Sequence, residues 1–170
     1  MNRHYTNQSL KRTTNVQPDT FKLTKRGFKK LSENAIIPTR ATKKSAGYDL
    51  YVPLNSEDIV IKPGCVGKFA TDVAAYMNED EFLAIVVRSS IGIKKKLILE
   101  NQVGIIDSDY FGNPDNGGNI YVSFRNIGDD EVVLRAGERV AQGIFMKYLT
   151  VDDDTPLSEQ RLGGIGSTNQ

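Results

Sequence analysis

Short stretches of alternating apolar and polar residues run through this chain from Phe28 onward. Such a period-two pattern, rich in β-branched and aromatic residues, is typical of half-buried β-strands. Nine stretches have this character: 28–31, 47–52, 58–61, 65–77, 81–87, 97–106, 119–126, 131–138 and 139–149. The pattern predicts an all-β domain of the sandwich, barrel or jelly-roll type.

Turn-forming residues separate the predicted strands. Clusters of glycine, proline, asparagine and aspartate stand at 37–38, 62–64, 113–118, 128–130 and 135–137. No segment keeps a helical period for long, although a short helix can form at 88–96. The strand pattern predicts a β domain over residues 26–150, preceded by a flexible extension (1–25) and followed by a mobile C-terminal arm (151–170).

Composition narrows the chemistry that the domain can perform. The chain has 170 residues, of which 39% are hydrophobic and 25% charged, as in an ordinary globular domain. The only cysteine is Cys65 and the only histidine is His4. A single cysteine excludes an intrachain disulfide and a cysteine-based metal site, and a single histidine in the polar N-terminal stretch argues against a histidine-dependent triad or a histidine-ligated zinc. Catalysis would then use carboxylates, arginines, hydroxyls, backbone amides and a hard cation such as Mg²⁺.

The sequence shows neither an apolar run long enough to span a membrane nor a secretory signal. We expect a protein without membrane partners in the cytoplasm, or in the host cytoplasm if it is phage-encoded. Residues 1–30 carry eight basic side chains and one acidic one, a net charge of +7, whereas the remaining residues are net acidic. A basic arm can bind nucleic acid or an acidic partner, but a solvated extension is the simpler interpretation, so we expect no nucleic-acid partner.

The stretch GIIDSDYFG, at 104–112, places two carboxylates close together. If it were all strand, Asp107 and Asp109 would share a face and repel each other. Two interpretations stay open at this point. Either a cation, a polar substrate or proton transfer uses these carboxylates, or a hairpin simply presents them to water.

Three further stretches combine arginine with small or polar residues. Arg88-Ser89-Ser90-Ile91-Gly92 follows an apolar strand and can cradle an oxyanion. The stretch 137–142, GERVAQ, places an arginine and a glutamine near a strand start, and 161–168, RLGGIGST, is a glycine-rich, hydroxyl-bearing segment. The last two have structural alternatives: an edge-strand salt bridge and a surface amide for GERVAQ, and a frayed tail for RLGGIGST.

Taken in order, these stretches resemble the five motifs of the trimeric dUTP diphosphatases (dUTPases). AGYDL (46–50) is similar to the first motif, RSSIG (88–92) to the second and NQVGIIDSDYFG (101–112) to the third; GERVAQ and RLGGIGST are similar to the fourth and fifth. The resemblance implies a dUTPase-like jelly roll or distorted β-barrel and a homotrimer with three shared sites. The implied reaction is hydrolysis of dUTP to dUMP and pyrophosphate, which keeps uracil out of DNA and supplies dUMP for dTMP synthesis.

The resemblance also implies roles for individual residues. Asp107 would activate the water that attacks the α-phosphorus. Tyr110 would lie under the deoxyribose and exclude a 2′-hydroxyl. Asn101 and the hairpin backbone at Gly104 and Ile106 would read the edge of uracil, while Asp109, Ser108 and Phe111 would be structural.

On the phosphate side, the resemblance implies an Mg²⁺ ion bound by the triphosphate and waters, with Asp49 holding one of those waters and Arg139 bracing Asp49. The remaining implied substrate-binding residues are Arg88, Ser89, Ser90, Gly92 and Gln142 in the domain and Arg161, Gly166, Ser167 and Thr168 in the arm.

Two departures from the family pattern affect these expectations. Ile165 stands where the family arm carries an aromatic that stacks on uracil, and residues 113–118 form an insertion after the third motif. Two rival functions remain: the related dCTP deaminase group, and a regulatory protein that uses the fold to hold a protein partner.

Overall fold

The computed structural model describes residues 26–158, and the regular secondary structure in this part of the chain is almost entirely β-strand. The twelve strands in chain order are β1 Gly27–Lys30, β2 Thr39–Arg40, β3 Tyr48–Tyr51, β4 Ile59–Ile61, β5 Val66–Ala70, β6 Val73–Tyr76, β7 Glu81–Val87, β8 Leu97–Leu99, β9 Gly104–Asp107, β10 Tyr121–Asn126, β11 Val132–Leu134 and β12 Arg139–Lys147. Two single turns complete it, a π-helical turn at Ser90–Lys94 and a 3₁₀ turn at Ser108–Tyr110.

The strands form four antiparallel sheets. The largest has the order β2-β3-β12-β7-β9, a second has the order β5-β10-β8, and β1 pairs with β6 as β11 does with β4. The predicted all-β class is confirmed. The hydrogen bonds among residues 26–158 do not close a barrel, so the molecule is a set of open sheets packed on one core.

The core forms where strands of different sheets turn their apolar faces inward. In β10, Val122 and Phe124 are buried while Tyr121, Ser123 and Arg125 lie on the other face, as a pleated strand requires. Leu83 and Ile85 of β7 pack in the same cluster. This alternation is the signal from which the strands were predicted.

Two predicted strands are each divided in the structure. The stretch 65–77 breaks at Asp72, whose φ of 57° is left-handed, so that β5 pairs with β10 but β6 pairs with β1. The stretch 97–106 breaks in the same way at Gln102, with φ of 60°, and its halves β8 and β9 join different sheets. Asp72 is a single turn-forming residue between strand-forming stretches and Gln102 is not of a turn-forming type, which explains why the clusters of turn-forming residues did not mark these bends.

The expectation that Asp107 and Asp109 could share a strand face is wrong. Strand β9 ends at Asp107, and the chain then turns tightly through Ser108–Tyr110. The period-two argument therefore stops at Asp107. The predicted short helix at 88–96 exists as one π-helical turn.

The predicted domain boundaries stay predictions. Residues 151–158 contain no strand, and Val151 and Leu157 are exposed. The extension 1–25 and the arm residues Arg161, Gly166, Ser167 and Thr168 lie outside the described residues.

Candidate active site

A cavity of about 450 Å³ opens where the β8–β9 turn meets the outer face of β10. Five predicted site residues line it: Asn101, Gly104, Ile106, Asp107 and Tyr110. Sequence reasoning missed Lys68 and Tyr121, which also line the cavity, with the Lys68 ammonium 5.0 Å from the centre of the Tyr121 ring. The alternation of β5 and β10 predicted only that these two residues face outward. An outward-facing strand position does not by itself indicate a binding site.

The β8–β9 turn brings the polar residues to the mouth of this cavity. The N–H of Gln102 donates to the carbonyl of Leu99 at 2.9 Å, and the N–H of Val103 donates to the carbonyl of Asn101 at 2.6 Å. Gly104 then starts β9 against β7. A Cβ at Gly104 would lie only 3.1 Å from the Cβ of Ile85, so glycine allows the two strands to approach closely here.

Asp107 stands at the end of β9, where it pairs in register with Phe82 near the start of β7. The neighbouring residue of β7, Glu81, is buried, and its carboxylate accepts two hydrogen bonds from Arg26 and one from the N–H of Asn78. The hydrogen bonds from Arg26 hold the pKa of Glu81 below its usual value, against the opposing effect of burial. This ion pair fixes the strand end beside which Asp107 stands.

Tyr110 is 7% exposed, and one side of it lines the cavity. Its hydroxyl donates to the carbonyl of Asn119 at 3.2 Å and accepts from the side-chain amide of Asn116 at 2.7 Å. The sequence marked 113–118 as an insertion but gave no reason to connect Asn116 with Tyr110.

A second cluster of predicted residues lies at the far end of β7. Asp49 is buried in β3, and its two carboxylate oxygens bind different arginines. Arg88 Nε lies 2.8 Å from Oδ1, and Arg139 Nη1 lies 3.2 Å from Oδ2. Arg88 Nη1 also donates to the carbonyl of Arg139 at 3.3 Å. The expected Asp49–Arg139 contact is present, whereas the Asp49–Arg88 pair was not foreseen.

Gln142 completes this cluster from β12, where it pairs in register with Asp49 of β3. Its side chain lies over Gly47, because a Cβ built at Gly47 would be 2.4 Å from Gln142 Oε1. The glycine of the stretch AGYDL therefore makes room for the glutamine of GERVAQ. Two motifs that are far apart in sequence meet here.

The turn after β7 presents the remaining predicted residues of this cluster. The N–H groups of Ile91 and Gly92 both donate to the carbonyl of Arg88, at 3.0 and 2.9 Å, and Ser89 is exposed at the start of the turn. The Ser89 side chain makes no capping hydrogen bond to the turn. A Cβ at Gly92 would make only ordinary contacts, so steric crowding does not explain that glycine.

The two clusters are far apart within one chain. Asp107 is level with Phe82 of β7, and Arg88 follows the other end of that strand. Six residues of extended strand separate these positions, which corresponds to about 20 Å. Asp107 and the turn at Arg88 are therefore too far apart to contact the same atom within one chain.

Among residues 26–158, no group of three or more histidine, cysteine, aspartate or glutamate side chains is placed to hold a metal ion. In the same part of the chain, no helix is long and apolar enough to cross a membrane.

Comparison with known proteins identifies the class that this fold and these clusters define. The dUTPase family model matches residues 33–169. The deoxyuridine 5′-triphosphate nucleotidohydrolase of Lactococcus lactis subsp. lactis is 46% identical over 133 residues, covering 78% of this chain and 87% of that protein. The homologous enzyme of Herminiimonas arsenicoxydans is 37% identical over 139 residues, covering 79% of this chain and 89% of the relative.

Solved structures agree with the sequence matches. The crystal structure of the dUTPase from Streptococcus mutans superposes with a TM-score of 0.67 at 44% identity, covering 74% of this chain and 98% of that one. A mutant of the dUTPase from phage phi11 of S. aureus shares the fold, with a TM-score of 0.65 at 22% identity, covering 79% of this chain and 97% of that one. That structure shows how a structural Mg(II) ion is coordinated in the phage protein.

The chain belongs to the dUTPase family. It is an enzyme of nucleotide metabolism, a hydrolase that acts on dUTP.

Proposed function

We propose that each active site is shared between subunits of a homotrimer. One subunit contributes the cavity with Asn101, Asp107 and Tyr110, and another contributes the cluster with Arg88 and Gln142. The separation of about 20 Å along β7 carries this proposal, because the roles of Asp107 and of the Arg88 turn both require contact with the same phosphate chain. The C-terminal arm, residues 161–168, would come from a further subunit and hold the γ-phosphate.

The proposed chemistry is attack by water on the α-phosphorus. Asp107 takes a proton from the water, the water oxygen forms a bond to phosphorus, and the bond to the α–β bridging oxygen breaks. The products are dUMP and pyrophosphate. Arg88 and the Ser89 hydroxyl would balance the charge that develops on the departing pyrophosphate.

The cavity supplies the selection of base and sugar. Asn101, Gly104 and Ile106 line it. The Asn101 side chain and the backbone of Gly104 and Ile106 would hydrogen-bond the edge of uracil. A site built from such fixed groups rejects cytosine, since a mismatched base leaves buried polar groups unpaired. The Tyr110 ring would close the space beside the sugar. Removal of dUTP in this way keeps uracil out of DNA and supplies dUMP for dTMP synthesis.

These residues could hold an Mg²⁺ ion only together with the phosphates of the bound substrate. Asp49 already binds two arginines through its two oxygens, and residues 26–158 contain no carboxylate cluster. Mg²⁺ keeps several waters and is commonly held by phosphates with one or two carboxylates, so Asp49 would contact it through a water. The ion would neutralise phosphate charge when it is bound.

Subunit mixing tests this proposal directly. Asp107→Asn and Ser89→Ala each disable a different half of the shared site. In trimers re-formed from equal amounts of both variants, about a quarter of the sites would combine an intact cavity with an intact turn, so activity should exceed that of either variant alone. Pyrophosphate release from dUTP is the measurement.

The matched control mixes Asp107→Asn with Tyr110→Ala. Both substitutions lie in the cavity of one subunit, so no rearrangement of chains restores a complete site. Equal recovery of activity in both mixtures would refute shared sites. So would a lack of recovery in the first mixture, once native mass spectrometry has verified subunit exchange. Comparable turnover of dCTP, or ammonia release from it, would instead favour the deaminase chemistry.

A further inference from the structure

The insertion after the third motif folds into a compact loop against Tyr110. The N–H of Asn113 donates to the carbonyl of Tyr110 at 3.2 Å, and the N–H of Gly117 donates to the carbonyl of Asn113 at 2.7 Å. The loop closes on Gly118, whose φ is +84° and where a Cβ would lie 2.6 Å from the carbonyl oxygen of Tyr110. The backbone of the insertion is therefore packed on the backbone of Tyr110.

The side chain of Asn116 links this loop to the hydroxyl of Tyr110. Its Nδ2 donates to the hydroxyl at 2.7 Å, and its Oδ1 accepts from the N–H of Gly118 at 2.9 Å. The two ends of the amide thus have chemically different partners, which defines its orientation. The hydroxyl in turn donates to the carbonyl of Asn119 at 3.2 Å. The far end of the Tyr110 ring is held from two sides.

This anchoring matters because Tyr110 forms a wall of the cavity that contains Asp107. An aromatic ring attached only at its Cβ can tilt by changing χ1 and χ2, whereas a ring that is also fixed at its hydroxyl cannot tilt without breaking hydrogen bonds. A sugar 2′-hydroxyl adds a single oxygen atom. A wall excludes so small a group only if its position is fixed to a fraction of an ångström.

We propose that Asn116 is a positioning residue that sets the discrimination between deoxyribose and ribose by fixing the Tyr110 ring. The inference rests on the proposed function, in which the Tyr110 ring closes the space beside the sugar. Asn116 itself need not touch the nucleotide. The insertion 113–118 then supports the wall of the cavity that selects the sugar, and is more than a surface loop.

The test is a double-substitution cycle read as substrate selectivity, the kcat/KM for dUTP divided by that for UTP. Asn116→Ala should lower this ratio about tenfold, mainly through faster use of UTP, because it removes one hydrogen bond that holds the ring. Tyr110→Phe removes the hydroxyl with both of its hydrogen bonds and should lower the ratio at least as much. The double variant should be no worse than Tyr110→Phe alone, since that change already removes the group that Asn116 contacts.

Asp115→Ala is the matched control, because Asp115 is exposed on the same loop and contributes only its backbone N–H, to Asn113 Oδ1 at 3.0 Å. It should keep the wild-type ratio. If Asn116→Ala keeps the ratio within twofold of wild type, or lowers it equally in the Tyr110→Phe background, the inference is wrong.

The remaining outcomes are also decisive. Should Asn116→Ala fail to fold, Asn116→Ser takes its place, because serine lacks the amide donor that reaches the Tyr110 hydroxyl: unchanged selectivity refutes the inference and reduced selectivity supports it. Wild-type protein that hydrolyses dUTP and UTP equally well would refute the proposed selection of the sugar, whereas a selective wild type with unaffected variants refutes only the role of Asn116.

Discussion

The two ends of β7 are built on different principles. Towards its start, the cavity is shaped by apolar packing and a close glycine contact, and Asp107 stands at the rim beside the ion pair between Arg26 and the buried Glu81. At its other end, the cluster is an electrostatic network in which one buried carboxylate, Asp49, is shared by two arginines. The cavity is enclosed by packed strands, whereas the cluster holds two guanidinium cations against one carboxylate and keeps a net charge of +1.

This difference indicates what each end contributes to binding. A pre-shaped cavity can select a base and a sugar because its walls need not move. A network of arginines bound to a carboxylate has to share its donors with an arriving phosphate chain, and the guanidinium group has five donors with which to do so. Substitutions at the two ends should therefore fail in different ways, and three predictions use this contrast.

The largest effect is expected for Asp107→Asn. The change preserves size and removes the base, so kcat for dUTP should fall by about 10²–10⁴-fold while binding survives. Stopped-flow pyrophosphate release and equilibrium binding of a non-hydrolysable dUTP analogue measure the two quantities. Asp109→Asn is the control, because Asp109 is exposed in the turn beyond β9. A greater loss from Asp109→Asn would reverse the assignment of the base.

An intermediate effect is expected for Asp49→Asn. Both arginines would lose their ionic partner and their fixed orientation, so kcat/KM should fall by about 10–100-fold. Because the cavity is remote, the selectivity between dUTP and dCTP should persist. Asp58→Asn breaks another Asp–Arg pair, an exposed one at 3.9 Å with Arg135, and should leave kcat/KM unchanged. A loss of base selectivity in Asp49→Asn would show that the two ends are not independent.

The smallest effect is expected at the support of the cavity. Arg26→Ala leaves Glu81 buried without its cation, which should lower the free energy of unfolding by about 1–2 kcal/mol, a modest figure because Arg26 itself is 39% exposed. Since the folded pKa of Glu81 is lowered, its contribution is complete above the unfolded pKa of about 4.3 and is lost as pH falls through the folded pKa.

The difference between wild type and Arg26→Ala should therefore be full at pH 7 and shrink below about pH 4, as measured by urea denaturation at fixed protein concentration. Lys147→Ala, which breaks the exposed pair with Asp80, serves as the control and should leave the midpoint nearly unchanged. A difference that grows on acidification would contradict the assigned role of Glu81.

Local alternation was enough to predict the strands and the class of fold. The inward positions Val122 and Phe124 follow directly from period two. The breaks at Asp72 and Gln102 were not predictable, since their left-handed backbones are imposed by which sheet each half-strand joins. Strand pairing between residues distant in sequence determines these turns, and the residue types at the two positions do not predict them.

The candidate site was predictable as a set of residues but not as an arrangement. The order of the motifs selected Asp49, Arg88, Asp107 and Tyr110, and the structure places each of them in one of the two clusters. The distance between the clusters depends on the register of β9 against β7, and no local pattern in the sequence predicts that register. The link from Asn116 to Tyr110 has the same origin, because it depends on how a loop folds back on its own start.

The placement of unlike half-sites at the two ends of one strand bears on how much protein a cell needs. If sites form only between chains, as proposed, a solitary chain has no complete site, and output at low expression would rise more steeply than the number of chains made. The clearance of dUTP would then have a threshold in gene dosage, visible in vitro as specific activity that declines on dilution. Where the protein concentration lies near the dissociation constant of the oligomer, halving the protein would more than halve the rate of dUTP removal.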